Sequence, residues 1–375
     1  MRMLAAVLTE IGKPAPYALS RPLALEHVEL ADPGPGEVLV QIRAAGLCHS
    51  DLSVIDGNRP RPVPMVLGHE AAGIVAAVGA GVVDLEVGTH VVAAFVPSCG
   101  HCAPCRRDRP ALCEPALAAN TAGTLLSGQR RLQREGRELY HHLGVSGFAQ
   151  YAVIARESLV RVDPALPFDV AALFGCAVIT GVGAVLNTAA MRPGASAAIV
   201  GLGGVGMAAL LGARTREPTE LVAVDLSEQK LAFARELGAS VTVNASAADA
   251  AEQVREATGG GVEYAFEMAG AVAALDLAYR ITARGGTTIT AGLSHPDQRF
   301  SLPHLGLVAE ERTLKGSYLG SANPGRDIPR FIAMYREGAL PIDRLLAGHL
   351  RLEHLNEGFD QLATGTTLRQ VVCLD

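Results

Sequence analysis

Four of the seven cysteines of this 375-residue chain lie within one stretch of fifteen residues, CGHCAPCRRDRPALC. Their spacing, C-x2-C-x2-C-x7-C, brings four thiolates within reach of one tetrahedral ion. Soft sulfur ligands select zinc, and a closed four-thiolate site leaves no coordination position for a substrate. The spacing therefore predicts a structural zinc site in a lobe over residues 97–115, with His101 at the surface. The expected ligands are Cys99, Cys102, Cys105 and Cys113.

The other three cysteines are scattered along the chain. Cys48 lies in AAGLCHSD, Cys176 in LFGCAVITG and Cys373 near the end, while His69 lies in VLGHEAAG. Two thiolates and one imidazole are a ligand set of catalytic zinc sites, which keep a fourth position open. Taken singly, a buried Cys or His is more often a packed core residue. We adopt that interpretation for Cys373.

A glycine-rich segment, GLGGVG, follows the apolar run ASAAIV and precedes a stretch with helical character. Gly201, Gly203 and Gly206 satisfy G-x-G-x-x-G, which permits a tight turn, backbone approach to a pyrophosphate and close helix–strand packing. The helix N-terminus then offers unpaired N–H groups to the phosphates. The expected phosphate-binding residues are Gly201, Gly203, Gly204, Val205 and Gly206.

Asp225 ends the next apolar run, ELVAVD, 24 residues after Gly201. An acid near this spacing binds the adenosine ribose 2′-hydroxyl and repels a 2′-phosphate. The following residues, LSEQK, contain no arginine, so the pattern favours NAD over NADP. The simpler alternative is that the glycines only pack a helix on a strand and that Asp225 caps the helix.

Two kinds of element must position these residues. In the first part of the chain, GEVLVQIRAAG places Val38, Val40 and Ile42 on one face, as in a half-buried strand. From about residue 180, short apolar runs alternate with amphipathic stretches, which predicts buried parallel strands joined by helices. The candidate strands are ASAAIV, ELVAVD, SVTVN, VEYAFE, TTITAG and TLKGSYL. We expect a helix over DIPRFIAMYREG and a final strand over LRQVVCLD.

Length and composition bound the class of protein. A chain of 375 residues with 49% apolar residues fits two domains, and a net charge of −6 argues against a nucleic-acid partner. Glu10 and Lys13 interrupt the first apolar run before a secretory core could form, and we expect no run near the roughly 18 to 20 apolar residues of a membrane helix. We therefore expect a cytoplasmic protein without a membrane partner, in which clustered thiols bind metal rather than form disulfides.

Together these motifs resemble the zinc-dependent medium-chain alcohol dehydrogenase family in its liver-type, two-zinc form. The segments GHEAAGIV, HHLGVSGFAQY, GC-x-x-x-TG, GLGGVG and LNEGFDQL and the four-cysteine lobe follow the family's order and spacing over essentially the whole chain. The resemblance implies an α/β protein with a GroES-like, irregular β catalytic domain and a Rossmann domain, which is a doubly wound parallel sheet. It places the catalytic domain at 1–178, the NAD-binding domain at 179–321 and a return to the catalytic domain at 322–375.

The resemblance also implies reversible hydride transfer between a primary or aromatic alcohol, or its aldehyde, and NAD, with two zinc ions per chain. Cys48, His69 and Cys176 carry over as the ligands of the catalytic zinc. Glu70 matches an acid that can approach this metal from behind. Asp51 matches a carboxylate that orients the histidine ligand.

Proton transfer and cofactor contacts depart from the family pattern in two places. Ser50 matches the family hydroxyl that contacts the reacting oxygen and begins a proton relay through the cofactor ribose. The histidine that commonly ends this relay is replaced by Ser53, which cannot act as a base near pH 7, so we expect protons to leave through water.

The expected cofactor contacts contain the second departure. His49 replaces an arginine that many relatives place against the pyrophosphate. The other expected cofactor residues are Lys230 at the adenosine ribose, Arg369 at the pyrophosphate, and Thr180.

The substrate pocket is expected, by the same resemblance, at Phe95, His142 and Leu143. Arg59 would lie at its mouth, where it would tolerate an anionic tail. Relatives that oxidise the glutathione adduct of formaldehyde carry an acid in place of Arg59 and an arginine in place of Leu117. An S-(hydroxymethyl)glutathione dehydrogenase is therefore the less favoured alternative within the family.

Two other classes share part of the pattern. A zinc-ribbon nucleic-acid-binding protein would account for the lobe and the basic segments RRDR and QRRLQREGR, but the acidic total and the dinucleotide motif oppose it. A zinc-free quinone reductase of the same fold would not be expected to carry all seven metal ligands.

The resemblance also bears on partners. The segment between Cys113 and His141 is about as long as in dimeric liver-type relatives, which favours a homodimer over a tetramer. The expected substrate is a small molecule.

Overall fold

The computed structural model describes residues 1–365 and 367–374. By internal contacts, the chain divides into two units. The first unit contains Met1–Cys176, Asn323–Arg330 and Ile342–Asp375, and the second contains Ala177–Ala322 and Phe331–Pro341.

The strands of both units are named in chain order. They are β1 (Arg2–Leu8), β2 (Leu23–Leu30), β3 (Glu37–Gly46), β4 (Met65–Val66), β5 (Ala71–Val78), β6 (His90–Ala93), β7 (Leu132–Arg134), β8 (Arg137–His141), β9 (Tyr151–Ala155), β10 (Leu159–Arg161), β11 (Ala197–Val200), β12 (Leu221–Asp225), β13 (Val241–Asn244), β14 (Val262–Glu267), β15 (Thr282–Thr290), β16 (Thr313–Gly316), β17 (Leu346–Leu350) and β18 (Arg369–Cys373).

The α-helices are four to thirteen residues long. They are α1 (Tyr17–Ser20), α2 (His49–Ile55), α3 (Ala103–Arg106), α4 (Glu114–Ala122), α5 (Phe168–Leu173), α6 (Ile179–Gly183), α7 (Gly204–Arg214), α8 (Glu228–Glu236), α9 (Ala250–Ala257), α10 (Val272–Arg280), α11 (His304–Ala309), α12 (Pro324–Arg336) and α13 (Leu355–Ala363).

The first unit is built from a small barrel and a sheet. The barrel follows the order β1-β2-β7-β8-β4, and the sheet follows β10-β6-β5-β3-β18-β17, with β9 also paired to β3. The predicted strand over 36–46 is confirmed by β3, in which Val38, Val40 and Ile42 are at most 2% exposed. Because β18 pairs with β3, the final strand predicted from the sequence brings the end of the chain back to this unit.

The second unit is a parallel sheet in the order β13-β12-β11-β14-β15-β16. Each of the six predicted strands is present, and helices separate successive strands as crossover connections require. Val222, Ala223 and Val224 of β12 are fully buried, as expected for a strand covered on both faces. The predicted α/β fold with a doubly wound sheet is confirmed.

The expected domain division differs from the structure near the end of the chain. The sequence analysis assigned all of 322–375 to the first domain, whereas Phe331–Pro341 belongs to the second unit. Phe331 and Leu340 are fully buried, and Arg214 Nη2 donates to the carbonyl oxygen of Ala339 (2.9 Å), which fixes this segment to α7. The helix predicted over 327–338 is α12.

Two expectations about apolar residues are wrong. The helical stretch Phe168–Thr188 is long and apolar enough to span a membrane by composition, although the sequence analysis expected no such run. Because 89% of its most apolar window is buried inside the protein, it has the character of a core helix. Cys373, expected in the core, is exposed, because it is the last residue of β18 and lies beyond that strand's four buried positions.

Candidate active site

The four lobe cysteines lie close enough together to hold one ion. One Sγ atom from each lies within 4.8 Å of the others, and the pairs Cys99–Cys105 and Cys102–Cys113 are each 4.0 Å apart. A tetrahedral zinc site with Zn–S bonds of about 2.3 Å needs S–S separations of roughly 3.8 Å, whereas a disulfide needs about 2.05 Å. The geometry therefore fits a four-thiolate metal site and not a disulfide in either pair.

Backbone donors and thiol ionisation support the same interpretation. The N–H groups of Cys99 and Cys102 donate to the sulfurs of Cys113 and Cys99 (3.3 and 3.4 Å). Burial opposes ionisation of Cys102, but backbone N–H groups outweigh it and lower its pKa to about 6, while burial and Cys102 raise the pKa of Cys105 to about 12. A cation would let the remaining sulfurs ionise. His101 is exposed, as expected.

A second cluster brings together residues that are far apart in sequence. Cys48, His69, Glu70 and Cys176 each place one ligand atom within 4.8 Å of the others, and all four are buried. Cys48 precedes α2, His69 and Glu70 lie between β4 and β5, and Cys176 lies on the helical stretch Phe168–Thr188. The fold therefore unites the three residues expected to hold a catalytic zinc.

Unpaired atoms in this cluster fit a metal. His69 Nδ1 lies 3.0 Å from Asp51 Oδ2, which leaves Nε2 as the ring nitrogen for an ion. His69 Nε2 and Glu70 Oε1 are buried, and neither has a hydrogen-bond partner among the described residues. Since a buried polar atom without a partner is costly, a zinc ion bound by two sulfurs and this nitrogen fits the donor set.

Contacts within the cluster set the ionisation of its members. Contact with Cys176 and the charge of His69 lower the pKa of Cys48 well below its ordinary value, in spite of burial. The same contact and burial raise the pKa of Cys176. Burial would lower the pKa of His69, but Asp51 and Cys48 outweigh it and raise it. Without an ion, therefore, one thiol ionises readily and the other does not.

A buried ion pair adjoins the cluster. Arg369 on β18 is 3% exposed, donates from Nη1 to the carbonyl oxygen of Leu47 (3.0 Å), and donates from Nη2 to Glu70 Oε2. Burial raises the pKa of Glu70 to about 7, although Arg369 opposes this shift. The sequence analysis did not predict this pair, because no local spacing links two residues 299 positions apart. The contact of Arg369 with a pyrophosphate stays a prediction.

Two expected pocket residues lie against the cluster histidine. The Phe95 ring is 8% exposed and meets the His69 ring edge-on, with centroids 5.5 Å apart. The His142 ring meets His69 in the same way at 5.4 Å, and its Nδ1 lies 3.0 Å from Asp51 Oδ1. The sequence analysis placed His142 in the pocket but did not predict its contact with Asp51.

The other residues expected around the cluster differ in how accessible they are. Leu143 is 7% exposed and has a φ of +51°, whereas Arg59 is half-buried. Ser50 is half-buried in the first turn of α2, and His49 beside it is exposed. The Ser53 hydroxyl donates to the carbonyl oxygen of His49 (2.7 Å). The roles expected for these residues stay predictions.

The glycine motif has the geometry expected of a dinucleotide site. Gly201 follows β11 with a φ of +92°, a region that favours glycine. A Cβ on Gly206 would lie 1.8 Å from the carbonyl oxygen of Gly201, whereas a Cβ on Gly203 would meet nothing within 4 Å. Helix α7 begins at Gly204, with Val205 in its first turn. Helix packing therefore requires Gly206, and the space beside Gly203 is open for a ligand.

The acid after this motif is tied to the glycine loop. Asp225 Oδ2 accepts from the N–H of Leu202 (2.6 Å), and Oδ1 accepts from the N–H of Ser227 (2.9 Å). These bonds fix the carboxylate at the carboxyl end of β12, where a ribose is expected. Lys230 is half-buried in α8, and Thr180 is 9% exposed in α6.

Comparison with known proteins decides the family. The family model described as alcohol dehydrogenase GroES-like domain matches residues 34–164, and the model described as zinc-binding dehydrogenase matches residues 204–337. A solved structure of an alcohol dehydrogenase zinc-binding domain protein from Burkholderia ambifaria is 35% identical with a TM-score of 0.94, over 100% of this chain and 99% of that chain. The chain belongs to the zinc-dependent medium-chain alcohol dehydrogenase family.

Two further solved structures extend the comparison. Benzyl alcohol dehydrogenase from Acinetobacter calcoaceticus is 30% identical, with a TM-score of 0.93 over 100% of both chains. Acetophenone reductase from Geotrichum candidum, solved with NAD, is 26% identical, with a TM-score of 0.79 over 100% of this chain and 97% of that chain. The family expected from the sequence is confirmed, as is the combination of a GroES-like and a Rossmann domain. This chain is therefore a zinc-binding oxidoreductase.

Proposed function

We propose that this protein is an NAD-dependent alcohol dehydrogenase that interconverts primary or aromatic alcohols and their aldehydes, with two zinc ions per chain. The observation that carries the proposal is the buried cluster in which Cys48, His69 and Cys176 converge within 4.8 Å. Family membership supports hydride transfer as the reaction. The benzyl alcohol dehydrogenase that matches over the full chain supports an aromatic substrate.

The residues in and beside the cluster have different roles in holding the metal. Zinc bound there would supply a Lewis acid that lowers the pKa of an alcohol hydroxyl and polarises an aldehyde carbonyl. Asp51 faces Nδ1 of His69 and so keeps the other ring nitrogen for the metal. Cys48, His69 and Cys176 are at most 5% exposed, and this burial excludes water and strengthens every electrostatic interaction in the site.

The proton of the alcohol needs an acceptor on the protein side. Ser50 is proposed as the first hydroxyl of the proton path, because it lies in the first turn of α2, two residues after Cys48. Ser53 cannot end the path as a base, since a serine hydroxyl does not take up a proton near pH 7, and its own proton is donated to the carbonyl oxygen of His49. We therefore propose that protons leave through water beyond Ser50.

The choice of NAD rests on Asp225. Its carboxylate is fixed by the N–H groups of Leu202 and Ser227, so it cannot easily turn away from a 2′-phosphate. Lys230, Thr180, Arg369 and His49 are proposed as additional cofactor contacts on the resemblance alone.

The substrate side of the site supports an aromatic alcohol. Phe95, His142 and Leu143 are each at most 8% exposed, and the first two meet the His69 ring. Arg59 is half-buried and carries a charge that would attract a substrate with an anionic tail.

The experiment is a screen of alcohols and aldehydes with the purified, zinc-loaded protein, followed by NADH absorbance. We expect benzyl alcohol to be oxidised faster than S-(hydroxymethyl)glutathione, and NAD to be used at least about tenfold better than NADP. Arg59→Ala should lower the preference for 4-carboxybenzyl alcohol over benzyl alcohol by a few-fold. The proposal would be wrong if no primary or aromatic alcohol were turned over, or if NADP were the better cofactor.

A homodimer is proposed from the free edge of the parallel sheet. β16 pairs with β15 and ends the sheet order, so its outer edge is open among the described strands. Leu293, Leu305 and Val308 in the same unit are 54 to 78% exposed, which is a marked apolar surface. Light scattering should give twice the 39.0 kDa of one chain.

A cytoplasmic location also stays a proposal, consistent with the reduced thiols that the lobe needs.

A further inference from the structure

One carboxylate in the first unit is shared by two histidines. Asp51 is fully buried, its Oδ2 lies 3.0 Å from His69 Nδ1, and its Oδ1 lies 3.0 Å from His142 Nδ1. Oδ1 also accepts the N–H of Gly68 (2.9 Å). Oδ1 is therefore hydrogen-bonded to the backbone, and each of the two oxygens faces an imidazole nitrogen.

Two ring nitrogens face this one carboxylate, one at each oxygen. His69 Nδ1 lies 3.0 Å from Oδ2, and His142 Nδ1 lies 3.0 Å from Oδ1. All three side chains are buried, and a buried polar atom that faces no polar partner is costly. Each ring nitrogen is therefore expected to stay beside the carboxylate rather than turn away from it.

The backbone of His142 is held in place independently of Asp51. The N–H of His142 donates to the Ser146 hydroxyl (3.0 Å), and its carbonyl oxygen accepts the N–H of Val145 (3.1 Å). The next residue, Leu143, has a φ of +51°, which a non-glycine residue adopts only when its surroundings hold it there. This turn gives His142 a fixed position from which it orients Asp51.

We propose that His142 is a positioning residue for the metal cluster, which orients Asp51 and thereby aims His69 at the ion. The inference rests on the proposed function only in taking this cluster as a zinc site. His142 adds a side-chain contact at Oδ1 beside the Gly68 N–H, and so opposes rotation of the carboxylate away from His69.

The test compares three variants of the purified full chain. His142→Leu removes the donor, whereas His142→Asn keeps an amide N–H near the position of Nδ1. His141→Leu is the matched control: His141 is equally buried, but it accepts the N–H of Arg131 (3.1 Å) and faces the Ser146 hydroxyl (3.4 Å) instead of Asp51.

Metal binding is measured in two ways that do not use turnover. Zinc affinity of the cluster is obtained by competition with a chelator, and cobalt(II) in the same cluster reports ligand geometry through its visible absorption. We expect His142→Leu to weaken zinc binding by about tenfold and to shift the cobalt bands, as loss of an outer-sphere partner of a ligand does. His142→Asn should restore most of both, and His141→Leu should change neither.

The outcomes separate this inference from the proposed function. Unchanged affinity and cobalt bands in folded His142→Leu would overturn it, as would an equal loss in His141→Leu, which would indicate lost packing rather than positioning. If His142→Leu does not fold, His142→Asn is compared with His142→Gln, whose amide lies further out. The inference is supported if His142→Asn binds zinc as wild type does and His142→Gln binds it more weakly. It is overturned if both variants bind zinc as wild type does. Absence of alcohol oxidation would leave these metal measurements unaffected and would count only against the proposed function.

Discussion

The two metal-ligand clusters of the first unit differ in how the chain assembles them. The four lobe ligands fall within the fifteen residues 99–113, and three of these thiols are only partly buried. The second cluster draws its ligands from three separate places between Cys48 and Cys176, and all of them are buried. The lobe therefore depends on local chain geometry, whereas the second cluster exists only after β5, α2 and the stretch Phe168–Thr188 have packed.

The surroundings of the two clusters differ as well. Backbone N–H groups donate to the lobe sulfurs of Cys99 and Cys113. Charged side chains surround the second cluster, namely Asp51, Glu70 and Arg369. Backbone donors are fixed and suit an ion that only holds structure. Ionisable neighbours adjust charge at the metal, which is the usual arrangement where chemistry occurs.

Removal of one ligand from the buried cluster should have the largest effect. Cys48→Ser should lower alcohol oxidation by at least about 10³-fold, because one zinc ligand is lost at the point where the alcohol is activated. Metal analysis should show one zinc per chain instead of two. Cys373→Ser is the control, since Cys373 is exposed at the end of β18. Native rates in Cys48→Ser would show that the second cluster is not catalytic.

Removal of one lobe ligand should act on stability. Cys102→Ser should lower the free energy of unfolding by on the order of 4 kcal/mol, because loss of a structural metal removes folding energy outright. Thermal unfolding and heat-inactivation rates measure this effect. If Cys102→Ser kept native stability and two zinc ions while losing turnover, the division into a structural and a catalytic site would be wrong.

A buried imidazole outside both clusters gives a prediction on pH. Burial lowers the pKa of His141 to about 4, below the ordinary value near 6.5. Between pH 4 and pH 6.5 the unfolded chain therefore binds a proton at this histidine, whereas the folded chain does not. The free energy of unfolding is consequently unaffected above pH 6.5 and falls by about 3 kcal/mol towards pH 4. His141→Gln, which does not titrate and keeps an acceptor for Arg131, should show a smaller fall in urea unfolding. An equal fall in both proteins would assign the pH dependence to other groups.

Local patterns made part of this structure predictable. The four-cysteine spacing and the glycine motif are each contiguous, so their geometry follows from short-range chain constraints. Alternating and continuous apolar runs likewise predicted β3 and the six parallel strands. The pair Cys48 and Cys176 has no such pattern, and its assignment required the family resemblance rather than spacing.

The remaining features depend on packing between distant segments. Nothing in the sequence links Glu70 to Arg369 or Asp51 to His142, because these contacts arise only when separate strands and turns meet. The apolar stretch Phe168–Thr188 shows the same limit, since a core helix and a membrane helix share one composition and differ only in what surrounds them.

The sequence signal of the dinucleotide loop is intermediate between those of the two clusters, because it combines the contiguous GLGGVG with an acid 24 residues later. Asp225→Asn keeps one oxygen acceptor, so one of the N–H groups of Leu202 and Ser227 loses its partner, and it removes the charge that would repel a 2′-phosphate. We expect the ratio of kcat/KM for NAD to that for NADP to fall by about 10- to 100-fold. Glu228→Gln, which removes a charge from the adjacent helix α8, is the control and should leave the ratio nearly unchanged. A ratio equally insensitive to both substitutions would place the cofactor choice elsewhere, and the loop would then resemble the lobe, with its acid serving only to hold the turn.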